Sequence, residues 1–107
     1  MTLIGFMEAW WTSIRLLLEE TGVVGHFERS PINRPNPSCA LNLRQHGFEI
    51  DLLVWESGEA EFATVECDGS SSQQHFDDIR TDANLSIMLS QVVKLTMNVS
   101  SSQNKTA

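Results

Sequence analysis

Two segments of the chain have the helical period. From residue 3 to residue 18 the apolar residues Leu3, Met7, Trp10 and Ile14 recur at alternating spacings of four and three, which is typical of an amphipathic α-helix. Gly22 follows, where a residue that tolerates a positive φ commonly ends a helix. A second run of the same period predicts a helix over residues 82–97, with Asp82 as its N-cap.

Between the helices the period changes to two, which predicts strands at residues 23–30, 38–45, 48–55 and 60–67. Three prolines mark residues 31–37 as a loop. His46-Gly47 and residues 56–59 are predicted tight turns that join neighbouring strands. Residues 73–79 are ambiguous, since they fit either a fifth, edge strand or a connection to the second helix, and we favour the strand.

The order predicts an α+β fold, in which an N-terminal helix, an antiparallel sheet of four or five strands and a C-terminal helix follow one another. The connections between the central strands are too short for parallel crossovers. We expect both helices on one sheet face, and a single domain over residues 1–99 followed by a disordered tail at 100–107. The opposite face would then be open to water and would carry Glu49, Asp51, Leu53, Trp55, Glu59, Glu61, Ala63 and Val65.

Charge narrows the possible partners of the chain. Its 107 residues have a formal net charge of -7 with only seven Lys and Arg, which argues against nucleic acid and against anionic membranes. The N-terminus lacks the basic region of a signal peptide, and Glu8 and Arg15 interrupt the most apolar segment before it could span a bilayer. Two cysteines are too few for a disulfide framework, so we expect a cytoplasmic protein.

The acidic residues are concentrated in one segment. Nine carboxylates and no Lys or Arg lie between Arg44 and Arg80, and such a stretch is either solvated or retained for a basic partner. Trp55 lies beside them on the polar side of its strand, where it is either a binding anchor or packed under a loop. We place the candidate partner-binding site at Glu49, Asp51, Trp55, Glu56, Ser57, Glu59 and Glu61.

The sequence predicts no catalytic residue, cofactor, metal site or small-molecule substrate. A catalytic carboxylate pair needs a cleft, which a small open sheet rarely provides. Cys39, His46, Cys67 and His75 lack the close spacing of metal ligands. Ser57-Gly58 does not fit a nucleophile elbow, because Trp55 occupies the position that requires glycine.

Two short segments carry a family resemblance. Residues 33–38, Asn-Arg-Pro-Asn-Pro-Ser, and residues 54–61, Val-Trp-Glu-Ser-Gly-Glu-Ala-Glu, resemble the TriTu family of bacterial immunity proteins over roughly residues 6–97. The resemblance implies a cytoplasmic antidote to a polymorphic toxin, typically the C-terminal domain of an Rhs-type protein delivered by type VI secretion. The toxin of that family is an ADP-ribosyltransferase that uses NAD to modify elongation factor Tu. The antidote would bind it one to one and block its NAD or target site without chemistry of its own.

Two other functions are compatible with the same pattern. A non-enzymatic adaptor or chaperone would present another secretion-system component through the acidic sheet face. A small hydrolase would use the carboxylates and would lose turnover on substitution of Asp51 or Glu61. Co-purification with a toxin domain and turnover by the isolated protein are the observations that separate these functions from immunity.

Overall fold

The computed structural model describes residues 2–31 and 33–106, with side chains described as far as Met97. Two helices enclose five strands in chain order, which confirms the predicted α+β fold. The elements are α1 (Leu3–Glu20), β1 (Val24–Arg29), β2 (Ser38–Gln45), β3 (Phe48–Trp55), β4 (Ala60–Val65), β5 (Ser71–Phe76) and α2 (Asp82–Thr106).

The five strands form one antiparallel sheet in the order β1-β2-β3-β4-β5. Neighbours in the chain are neighbours in the sheet because every connection is short. The turn between β2 and β3 requires a left-handed backbone at His46 (φ 54°) and Gly47 (φ 81°), and the turn between β3 and β4 requires it at Gly58 (φ 100°). These turns fix the pairing register and therefore which side chains share a face.

Both helices pack on one face of the sheet. α1 lies over β1 and β3, whereas α2 lies over β2 and β3, so the core is deepest under the central strands. Alternate residues of β2 and β3 point into it and are almost fully buried, as the two-residue period predicts. The largest fully buried side chains include Ile4, Met7, Leu41, Leu43, Ile50, Leu52, Leu85, Leu89 and Val92.

The structure corrects several predicted boundaries. The fifth strand begins at Ser71 instead of residue 73, and β4 ends at Val65. The N-cap of α2 is Thr81 and not Asp82, because the Thr81 hydroxyl accepts a hydrogen bond from the Asn84 N–H at 3.1 Å. α2 extends to Thr106 instead of ending at residue 97. The predicted tail at 100–107 falls outside the residues whose side chains are described, and it stays a prediction, as does the domain boundary.

Candidate functional site

The sheet face opposite the helices, here called the open face, is formed by alternate residues of all five strands. Pairing register places them in rows across the sheet. Among the open-face residues of these strands, all of which the structure describes, four are carboxylates and Arg44 is the one arginine or lysine. The open face consists of Val24, His26, Glu28, Ser38, Ala40, Asn42, Arg44, Glu49, Asp51, Leu53, Trp55, Glu61, Ala63, Val65, Ser71, Gln73 and His75.

Glu49 and Asp51 are held together by the side chain of Asn42 on the neighbouring strand. The Asn42 amide nitrogen donates to Glu49 Oε2 at 2.7 Å and to Asp51 Oδ1 at 2.9 Å. One amide thereby orients two like charges that would otherwise repel each other. The unused oxygen lone pairs of both carboxylates face solvent, where a cationic side chain can reach them.

Glu61 is held in the same way by the edge strand β5. Its Oε1 accepts a hydrogen bond from His75 Nδ1 at 2.7 Å, and its Oε2 accepts one from Gln73 Nε2 at 3.1 Å. Because both bonds favour the charged form, the His75 bond most, the pKa of Glu61 is lowered from its ordinary value. Glu61 therefore carries its negative charge at neutral pH.

An apolar group adjoins these carboxylates, because Leu53 follows Asp51 on the open side of β3 and lies opposite Glu61. Leu53 pairs with Ala40 across the β2–β3 ladder, and Trp55 pairs with Ser38 one row further along. All four are half-buried on the open face. Partly exposed apolar side chains surrounded by charges have the composition of a protein-binding surface, in which the centre is desolvated and the rim stays polar.

The structure does not bring all of the predicted site residues together. The Glu56 carboxylate points toward α1, where it accepts hydrogen bonds from the backbone N–H groups of Leu3 at 2.9 Å and Ile4 at 3.2 Å. It accepts from N–H groups that have no partner within the helix, and it places a negative charge at the positive end of the helix dipole. Glu56 is therefore occupied in holding α1 to the β3–β4 turn.

Ser57 is likewise tied to a loop. Its hydroxyl accepts from Asn36 Nδ2 at 3.1 Å, and its N–H donates to Asn36 Oδ1 at 3.2 Å. Glu59 stays exposed in the turn, and its carbonyl accepts from the Trp55 N–H at 2.9 Å. Of the seven candidates, Glu49, Asp51, Trp55 and Glu61 lie on the open face and Glu59 lies at its edge.

Two polar residues that orient carboxylates of the open face, Asn42 and His75, are absent from the site predicted from the sequence. Asn42 could have been found, because the tight turn at His46-Gly47 sets it opposite Asp51 on the same face. His75 could not, because its position depends on the pairing of β5, which the pattern left ambiguous. Both contribute by fixing carboxylates in place.

The pKa shifts of three described side chains, Cys39, Glu61 and Asp68, do not favour acid–base or nucleophilic chemistry at those groups. A general acid needs a carboxyl whose pKa is raised, whereas the pKa of Asp68, like that of Glu61, is lowered, in this case by hydrogen bonds from Ser70. Burial raises the pKa of the Cys39 thiol to about 12, which disfavours the reactive thiolate. Among the described residues, no group of three or more His, Cys, Asp or Glu side chains could hold a metal ion.

Comparison with known proteins gives the class of this chain. It is an immunity protein. A model of the family described as "Immunity protein TriTu" matches residues 6–95, so the chain belongs to the TriTu family, as the two short segments indicated. No curated protein and no solved structure matched the chain. In the part of the chain that the structure describes, neither helix is long and apolar enough to cross a membrane.

Proposed function

We propose that this immunity protein neutralises a polymorphic ADP-ribosyltransferase toxin, the C-terminal domain of an Rhs-type protein delivered by type VI secretion, in the cytoplasm of the producing bacterium. It binds the toxin domain one to one and lays its open face over the NAD or target site. The contact residues are Glu49, Asp51, Trp55, Glu59 and Glu61. Glu56 and Ser57 leave this set because their side chains are engaged within the fold.

The composition of the open face is the observation that supports this mechanism. Asp51, which is held by Asn42, and Glu61, which is held by His75, adjoin the half-buried Leu53, and the half-buried Trp55 lies in the next row. A surface of this kind complements a basic one, because opposite charges accelerate capture and a buried aromatic anchor slows release. A site that binds the phosphates of NAD is such a basic surface.

The test uses two variants with equal net charge. One reverses Asp51 and Glu61 to Lys on the open face, and the other reverses Glu19 and Glu20 to Lys at the exposed end of α1. The probe is the toxin domain encoded by the neighbouring upstream reading frame, inactivated for titration and active for NAD turnover. We expect the open-face variant to lose at least about 100-fold in affinity, because like charges across an interface cost several kcal/mol. The α1 variant should stay within about threefold of wild type.

Equal losses for the two variants would contradict the mechanism, because the effect would then come from net charge alone. Full affinity in both would place the toxin on another surface. Inhibition of NAD turnover separates the immunity mechanism from the adaptor function. An adaptor that binds the same domain would leave turnover unchanged, whereas an occluding antidote stops it at a one-to-one ratio.

A further inference from the structure

The outer edge of β5 carries unpaired backbone groups. Two backbone bonds show which pairs of residues are hydrogen-bonded on either side of β4. The Trp55 N–H donates to Glu59 O in the β3–β4 hairpin, and the Glu66 N–H donates to Ser70 O in the β4–β5 hairpin. Because hydrogen-bonded and non-hydrogen-bonded pairs alternate along antiparallel strands, the residues of β5 on the helix face bond to β4. The N–H and C=O groups of Ser71, Gln73 and His75 therefore point away from the sheet. All five residues from Ser71 to His75 are exposed.

This edge lacks the features with which proteins block pairing by another strand. Charged side chains, proline and bulges commonly protect an edge. β1, at the other edge, carries Glu28 and Arg29, and Arg29 forms an ion pair with Glu8 of α1 at 2.8 Å. β5 reads Ser-Ser-Gln-Gln-His-Phe and contains no proline, aspartate, glutamate, lysine or arginine. Its six residues are therefore available for strand addition.

An apolar groove lies beside the same edge on the helix face. It has a volume of about 340 Å³ and runs between α2 and the last two strands. A second depression of about 200 Å³ continues it past Phe76 toward Ile87. The groove exists because α2 packs over β2 and β3 and leaves the end of the sheet partly uncovered. It is lined by Phe62, Gln74, Phe76, Met88, Gln91, Lys94 and Leu95.

We propose that the toxin contributes an extended segment that pairs with β5 as a sixth strand of the sheet. Alternate side chains of this segment are apolar and enter the groove, and the others are basic and lie over the open face. Glu61 lies two strands away from the added strand, about 10 Å, within reach of a lysine or arginine. The inference rests on the proposed function and specifies how the toxin engages the acidic face.

Charge favours this occupant over a second copy of the chain. Two copies paired through β5 would join their acidic open faces into one continuous surface, each copy bringing a net charge of -7. A net charge of this size on each copy opposes their association, although β5 itself carries no charged side chain. A basic segment gains the same backbone hydrogen bonds and also neutralises the carboxylate at Glu61.

Amide hydrogen exchange on the full-length protein tests the strand directly. We expect the N–H groups of Ser71, Gln73 and His75 to exchange rapidly in the free protein and at least about tenfold more slowly with the inactive toxin domain from the upstream reading frame. A matched pair of variants tests the same bond. Gln73→Pro removes the outward N–H without removing a backbone bond to β4, whereas Gln73→Ala keeps that N–H. Both variants lose the side-chain bond to Glu61 Oε2, so the difference between them reports the backbone bond.

The proline variant should bind the toxin domain at least about tenfold more weakly, the factor that corresponds to one hydrogen bond, while the alanine variant stays within about threefold. Binding by wild type without protection of β5 overturns the strand and leaves the open-face mechanism standing. If the wild-type protein does not bind this domain, both the added strand and the open-face mechanism are overturned. Protection that appears without toxin, as protein concentration rises, identifies a second copy as the occupant and overturns the proposal.

Discussion

The Glu56 carboxylate should matter for stability more than for binding. In Glu56→Ala the N–H groups of Leu3 and Ile4 lose their acceptors, which lie 2.9 and 3.2 Å away. Hydrogen bonds to charged groups contribute about 1.5–3 kcal/mol each. Because the site is half-buried and water can replace part of each bond, we take about 1 kcal/mol per bond. The loss is then about 2 kcal/mol, which lowers Tm by about 8–16 °C in a domain of this size.

Glu59→Ala is the matched control, because Glu59 lies in the same turn and is exposed. Surface substitutions of this kind change stability by less than about 0.5 kcal/mol. Glu56→Gln should fall between the two, since it keeps an acceptor oxygen but loses the charge at the start of α1. Urea unfolding followed by circular dichroism gives the free energies of unfolding of all three variants.

Two results would refute this reasoning. If Glu56→Ala unfolds at the same urea concentration as Glu59→Ala, the carboxylate does not hold α1. If folded Glu56→Gln loses toxin affinity as strongly as the open-face variant, Glu56 belongs to the interface after all. We expect the Gln variant to bind within about threefold of wild type, because its side chain faces the helix layer.

Three further predictions follow from particular contacts. Gly58→Ala should destabilise the fold by about 1 kcal/mol more than Gly69→Ala in urea unfolding, because both glycines have a positive φ but only the first would bring its Cβ to 3.2 Å from a carbonyl of the loop preceding α2. NMR titration should place the pKa of Glu61 below 4.5, and His75→Ala should raise this pKa because the hydrogen bond from His75 is lost. The stabilisation by the Glu61–His75 pair is present above pH 4.5 and is lost as the pH falls through the lowered pKa of Glu61. Cys39 should resist alkylation at pH 8 until the protein unfolds, as mass spectrometry of labelled peptides would show, because burial raises its pKa to about 12.

The elements with a strong period were predictable from the sequence. β3 alternates buried and open residues along its whole length, and the adjoining turns at Gly47 and Gly58 fix its register with β2 and β4. That register places Asp51 and Glu61 on one face. β5 was less predictable because it has no apolar alternation. Its residues from Ser71 to His75 are exposed on both faces, since α2 covers this end of the sheet only partly.

The direction of Glu56 could not be predicted from local pattern. Glu56 follows Trp55 and begins a tight turn, and neither feature indicates a contact with the start of α1, which lies more than fifty residues earlier in the chain. The contact arises only when the helix packs on the sheet and brings its first turn to the β3–β4 turn. The sequence pattern therefore predicts that this carboxylate contacts the partner, whereas the structure shows it bonded to the first turn of α1.

The two segments that resemble the TriTu family meet each other at the end of the sheet, where they contribute Ser38, Trp55 and Glu61 to the open face and also bond to each other beside it. Asn36 and Ser57 exchange two hydrogen bonds, and the Pro37 carbonyl accepts from the Glu56 N–H at 2.9 Å. These bonds are internal, and they join the loop before β2, the β3–β4 turn and α1. A chain that shares these segments therefore shares this junction, whatever its open face carries. We expect recognition of a particular toxin to depend on the open face and the β5 edge, because those groups still have unused donors, acceptors and charges.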